Sequence, residues 1–174
     1  MSGIARSTRL GHLGHFGHFG HLARRFAGSL SPRPPSDADE QWAAEHLIVG
    51  EVALWRRMSN ADRRHAVGVA RGAVAMLGQA AEREVIAAAL LHDVGKIDSG
   101  LGTFARVAAT VVDRRDGDSR FARYRRHDEI GAQLLADAGS ATLTIAWAGE
   151  HHLPPARWSV ERTVADALKA ADDD

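Results

Sequence analysis

His92 and Asp93 stand side by side at the end of the apolar run Leu90-Leu91, and the chain continues Val94-Gly95-Lys96-Ile97-Asp98. On a helix His92 and Lys96 would share a face, because residues four apart lie one above the other. An imidazole beside a carboxylate at the end of a buried helix is costly unless something pairs with them. A metal ion would do so. The other candidate ligands are His65 before this pair and His127, His151, His152 and Asp172 after it. They are separated by about one helix plus a turn, so successive helices could aim one or two side chains at a common centre, as bundle cores do when they hold metals.

Composition limits what surrounds such a centre. The 174 residues fit one domain plus a tail, with enough chain for a sizeable core. Lys+Arg and Asp+Glu number 22 each, so charge gives no strong sign of a nucleic-acid or membrane partner. The absence of cysteine excludes disulfides and thiolate metal sites, and fits a cytoplasmic location. Ten histidines are then the obvious nitrogen ligands. No apolar run approaches the roughly 18–20 residues that span a bilayer, and the N-terminus lacks the continuous apolar core of a signal peptide.

The elements that must position these side chains are helical. Residues 1–35 read as a mobile tail in which Gly-His recurs every three residues from Gly11-His12 to Gly20-His21, closed by Ser31-Pro32-Arg33-Pro34-Pro35. Two readings of the repeat stay open, a metal-scavenging tract and low-complexity sequence. Ser36 with Asp39, and Ser59 with Asp62, have the spacing of helix N-caps. Helices are expected to about Leu47, over Val52–Arg57, from Ser59 to about Gly78 with His65 inside it, and from about Ala80 to Asp93. Further helices are expected over about 103–113, 127–138 and 141–151, the last of these stopped by Pro154-Pro155, and then from a Ser159 cap into Asp172. No segment alternates with the period of two that a sheet requires. The expected fold is all-α, a single helical bundle over residues 36–174.

The order His65, His92-Asp93, Asp172 resembles the HD superfamily of metal-dependent phosphohydrolases, over roughly residues 59–174. Supporting stretches are His92-Asp93-Val94-Gly95-Lys96, Arg126-His127-Asp128-Glu129-Ile130-Gly131-Ala132, Glu150-His151-His152 and Ala170-Ala171-Asp172. The histidines after the HD pair are similar to those of the branch that binds two metals. The resemblance implies that Asp93 bridges two ions, that His65, His92 and Asp172 complete one, and that His127, His151 and His152 complete the other. His152 could instead orient a ligand or a phosphate, and Asp173 competes with Asp172 for the last position. Imidazole and carboxylate suit iron or manganese, with zinc, nickel and magnesium left open.

Such a pair of ions lowers the pKa of a bound water and clamps phosphoryl oxygens. The implied activity is therefore hydrolysis of a phosphoester or phosphoanhydride, of a nucleotide or another phosphorylated small molecule, by a metal-bound hydroxide. Lys96 would neutralise a phosphate oxygen in the transition state, or else is a lysine at a helix C-terminus, where cations are favoured anyway. The Arg114, Arg115, Arg120, Arg123, Arg125 and Arg126 cluster would steer a polyphosphate, or is a solvated face. The chain also resembles short HD-domain proteins of high-GC bacteria. It lacks the Gly-Tyr-Pro signature of the members that hydrolyse cyclic di-GMP, reading Leu153-Pro154-Pro155-Ala156 after the paired histidines. The alternative function is a non-catalytic, metal-containing HD module that binds a nucleotide or a protein partner. Trp42, Trp55, Trp147 and Trp158 are read as packing residues, and His46 as a satisfied histidine outside the ligand set. Oligomeric state is not readable from the sequence.

Overall fold

The structure, a computed structural model, describes residues 33–99 and 126–174. These form helices α1 (Asp37–Glu45), α2 (Val49–Trp55), α3 (Asn60–Leu77), α4 (Arg83–Leu91), α5 (Lys96–Ser99), α6 (His127–Asp137), α7 (Thr142–Glu150) and α8 (Arg162–Asp173). Short 3-10 turns lie at Gly78–Ala80 and Pro155–Arg157, and no strand occurs among the described residues, so the fold is all-α. The Gly-His repeat, the helix expected over 103–113, and Arg114, Arg115, Arg120, Arg123 and Arg125 lie outside the described residues. No helix among those described is long and apolar enough to cross a membrane.

The bundle is arranged around α4. Every residue from Val85 to Leu91 is buried, so this helix is covered on all sides. The run Ala87-Ala88-Ala89 keeps it narrow, while Ile86, Leu90 and Leu91 each contribute about 1.5–3 kcal/mol of apolar burial. Helices α3 and α7 flank α4, α8 packs on the outer side of α3, and α6 packs on α7. Thr144 of α7, fully buried, donates its hydroxyl to the Glu84 carbonyl in the first turn of α4 at 3.2 Å.

Helix ends follow local chemistry. Ser36 and Ser59 cap α1 and α3 as their spacing predicts, each accepting from the backbone N–H of the aspartate three residues on at 3.2 Å. Three of the departures from the expected boundaries have a clear cause in the structure. The second helix begins at Val49 rather than Val52, because the Glu51 carboxylate accepts from the Ile48 N–H at 2.9 Å and so satisfies a donor at the helix start. The last helix begins at Arg162, capped by Glu161, which accepts from the Val164 N–H at 3.0 Å. Ser159 does not cap it, since its N–H and hydroxyl are both committed to the Glu150 carboxylate.

The third difference touches the centre. Helix α4 starts at Arg83 and stops at Leu91, and His92–Gly95 form a turn with three-residue hydrogen bonds, Val94 N–H to Leu91 O and Lys96 N–H to Asp93 O, both 3.0 Å. His92 and Lys96 therefore do not share the face of one continuous helix. Gly95 allows a close crossing: a Cβ there would collide with the His127 carbonyl and lie 2.6 Å from the Gly131 nitrogen. The turn crosses the first turn of α6 backbone against backbone.

Candidate metal centre

His92 and Asp93 emerge from the C-terminal end of α4, both buried. His65 comes from the second turn of α3 and Asp172 from the last turn of α8. Gly72 of α3 meets Ala171, where a Cβ would lie 3.2 Å from the alanine Cβ, and this close crossing sets Asp172 beside His65. Carboxylates are disfavoured at a helix C-terminus, so Asp172 needs partners. It finds His65 Nε2 at 3.0 Å and His92 Nε2 at 3.7 Å, on Oδ1 in both cases. His127 opens α6, and His151 and His152 follow the last residue of α7.

All seven candidate ligands converge. His65, His92 and Asp172 form one group, and Asp93, His127, His151 and His152 another, with the possible ligand atoms of each group within 4.8 Å of one another. The imidazoles run in a row, His65 to His92 at 5.5 Å between ring centres, His92 to His151 at 5.3 Å and His151 to His152 at 4.0 Å, with His127 alongside. Asp93 stands between the groups. Its Oδ2 is 3.4 Å from His92 Nε2, while its Oδ1 is 3.5 Å from His127 Nε2 and 3.8 Å from His151 Nε2.

Ring orientation identifies which nitrogens are offered. His92 Nδ1 lies 2.9 Å from the Ala89 carbonyl, and His151 Nδ1 lies 3.0 Å from the Ala148 carbonyl. A carbonyl accepts, so each Nδ1 carries a proton and each ring turns its Nε2 inward. At His151 this Nε2 is buried with no hydrogen-bond partner, its 3.8 Å approach to Asp93 being too long for one. His127 and His152 present Nε2 to Nε2 at 3.1 Å. The unpartnered His151 nitrogen and the imidazoles turned toward the Asp93 carboxylate make an arrangement suited to a cation. Metal–ligand bonds of about 2.0–2.2 Å put neighbouring ligand atoms about 3–3.5 Å apart, which matches the closer of these separations.

The proton affinities follow from the same geometry. Burial opposes charge on His92, but the adjacent Asp93 carboxylate and then Asp172 outweigh it and raise the imidazole above its ordinary value. Burial likewise works against an ionised Asp93, yet Lys96 and the surrounding imidazoles hold it well below the usual carboxylate range. Asp172 is also lowered, against its burial, by His65 and His92. Burial pushes His151 down, and burial together with the neighbouring His151 and His127 pushes His152 down to about 4. Lys96 ion-pairs with Asp93 Oδ2.

Sequence reasoning leaves out several residues that hold this arrangement. The Trp158 indole donates to the carbonyls of Glu150 and Leu153, at 3.0 Å each, bracketing the paired histidines. Ser159 binds the Glu150 carboxylate twice at 2.6 Å. Spacing carries no signal for these contacts. Glu51, a fully buried carboxylate 3.5 Å from the Arg83 guanidinium at the start of α4, is likewise not named by the sequence reading. His46, outside the ligand set, sits with Nδ1 2.8 Å from the Trp42 carbonyl.

The family model for the HD domain matches residues 63–173. The chain belongs to the HD domain family. HD domains bind divalent metals and make up a superfamily of metal-dependent phosphohydrolases, and this one carries His/Asp clusters able to hold such ions. Comparison with curated proteins and with solved structures gives no significant match. The matched span begins just before His65 and ends just after Asp172, so it includes all seven candidate ligands of this HD domain.

Proposed function

We propose that this HD domain is a hydrolase that cleaves a phosphoester or phosphoanhydride of a nucleotide, using two divalent cations, iron or manganese in preference to zinc, nickel or magnesium. One observation carries the reading: the two oxygens of Asp93 face different imidazoles, Oδ2 toward His92 and Oδ1 toward His127 and His151. A carboxylate so divided is suited to bridging two ions. His65, His92 and Asp172 would hold one, and His127, His151 and His152 the other. Cations bound there supply a water of lowered pKa and polarise the phosphoryl oxygens.

The protein's own groups do the rest. The Ala89 and Ala148 carbonyls fix the His92 and His151 tautomers so that both Nε2 atoms face inward. Lys96 keeps Asp93 ionised and is the cation assigned to neutralise a phosphate oxygen. Manganese- or iron-loaded protein tested on a nucleotide panel should release a phosphorylated product, and His92→Ala and Asp93→Ala should each abolish turnover. Activity surviving in either variant would refute the assignment.

A second reading, a non-catalytic module that binds a nucleotide, is favoured by the ion pair that already engages Lys96 with Asp93. It predicts nucleotide-dependent thermal stabilisation without turnover, and any turnover dependent on Asp93 removes it.

A further inference from the structure

His151 and His152 are the only candidate ligands that are neighbours in sequence on a turn outside a regular helix, apart from His92 and Asp93. The two rings are anchored unequally. His151 is tied by Nδ1 to the Ala148 carbonyl, and its backbone N–H closes α7 on Trp147 O at 3.0 Å. Among the described residues the His152 ring makes one polar contact, the 3.1 Å approach of its Nε2 to His127 Nε2. Beyond its contacts with the His151 and His127 rings, the position of that ring depends on how its backbone turn is held.

The turn is held from outside the ligand set. Leu153 N–H returns to Glu150 O at 2.7 Å, and the Trp158 indole N–H is shared between Glu150 O and Leu153 O. Ser159 grips the Glu150 carboxylate from the same side. Pro154 and the 3-10 turn Pro155–Arg157 fold the chain back so that Trp158 reaches the turn. The indole is fixed in turn, edge-on to Trp147 at 5.5 Å between ring centres and under the Arg162 guanidinium at 5.6 Å. The two carbonyls that satisfy the indole N–H are the ones that flank the ligand pair.

We infer that Trp158 is a positioning residue for the metal subsite of Asp93, His127, His151 and His152, its indole N–H pinning the Glu150–Leu153 turn that carries both histidines. The inference rests on the metal reading proposed above. Ligands must be held within about 0.5 Å of productive geometry, and loss of a group that orients a ligand typically costs about 10- to 100-fold in metal affinity. The cost should fall on this subsite and spare His65, His92 and Asp172, which other elements carry.

The test is a cobalt(II) titration of chelator-stripped, full-length protein, followed by the visible bands of the bound ion. Histidines 12, 15, 18 and 21 are common to all proteins compared, so cobalt bound to them cancels in difference spectra. His152→Ala and Asp172→Ala identify the phase belonging to each subsite. Trp158→Phe, which keeps an aromatic ring against Trp147 but removes the N–H, should weaken the His152-dependent phase about 10- to 100-fold and alter its band. It should leave the Asp172-dependent phase unchanged. Ser159→Ala should weaken the same phase by less, and decides the matter if Trp158→Phe does not fold. Two unchanged phases in the folded variants overturn this inference alone. Parallel weakening of both phases with a lowered melting temperature also overturns it, because that is what mere packing would give. A wild-type titration insensitive to both His152→Ala and Asp172→Ala overturns the metal reading and this inference with it.

Discussion

At Asp93 one carboxylate meets Lys96 and His92 through Oδ2, and His127 and His151 through Oδ1. His92 on one side differs in proton affinity from His151 and His152 on the other, and that difference makes metal uptake depend on pH in two stages. His92 is raised, so below its folded-state pKa, which lies above the ordinary value of about 6.5, a proton competes with the ion for Nε2. His151 is lowered, and His152 is lowered to about 4, so both stay neutral and able to ligate as the solution becomes more acidic. Metal content measured after equilibration at stepped pH should therefore fall first at the His65, His92 and Asp172 group. Loss in the reverse order would contradict the assignment. In the metal-free protein the same sign holds for His152. The unfolded chain takes up a proton there that the folded chain refuses, so this group's contribution to stability diminishes as pH falls from about 6.5 toward about 4.

Among the elements, the crossing of Gly95 over the start of α6 matters most for the site. No side chain separates the turn from the backbone of His127 and Gly131. Gly95→Ala should destabilise the protein by about 1–3 kcal/mol, the usual cost of overpacking. It should also reduce metal content by displacing His127, measurable by thermal melting and metal analysis on the same sample. Gly131→Ala, whose added methyl would lie 3.2 Å from the Gly95 nitrogen, should do less of both. Ser59→Ala is the informative contrast. It removes the α3 cap at a cost of about 1 kcal/mol, and because the cap is two turns from His65, metal content should stay at the wild-type level.

On the scale of the whole molecule, the candidate ligands come from α3, the turn after α4, α6, the turn after α7, and α8. An ion bound to either group would join elements distant in sequence, so binding should be coupled to global stability. Manganese at about 100 times its dissociation constant should add about 2.7 kcal/mol per site, read as a rise in melting temperature that chelator reverses. Asp93→Ala should largely abolish the rise. The all-α character, the caps at Ser36 and Ser59 and the set of ligand-type residues were legible in the sequence, because they depend on local spacing and on residue chemistry. The end of α4 at Leu91 was not, since it depends on a backbone crossing with α6 that no local pattern encodes. The division of Asp93 between two groups of imidazoles also required the tertiary structure, which alone sets the direction of each carboxylate oxygen. Trp158 read as a packing residue because its type and position indicate only an aromatic ring near a turn. That its N–H reaches the carbonyls on both sides of the paired histidines is a consequence of the chain folding back after Pro154, decided only when the two segments meet in space.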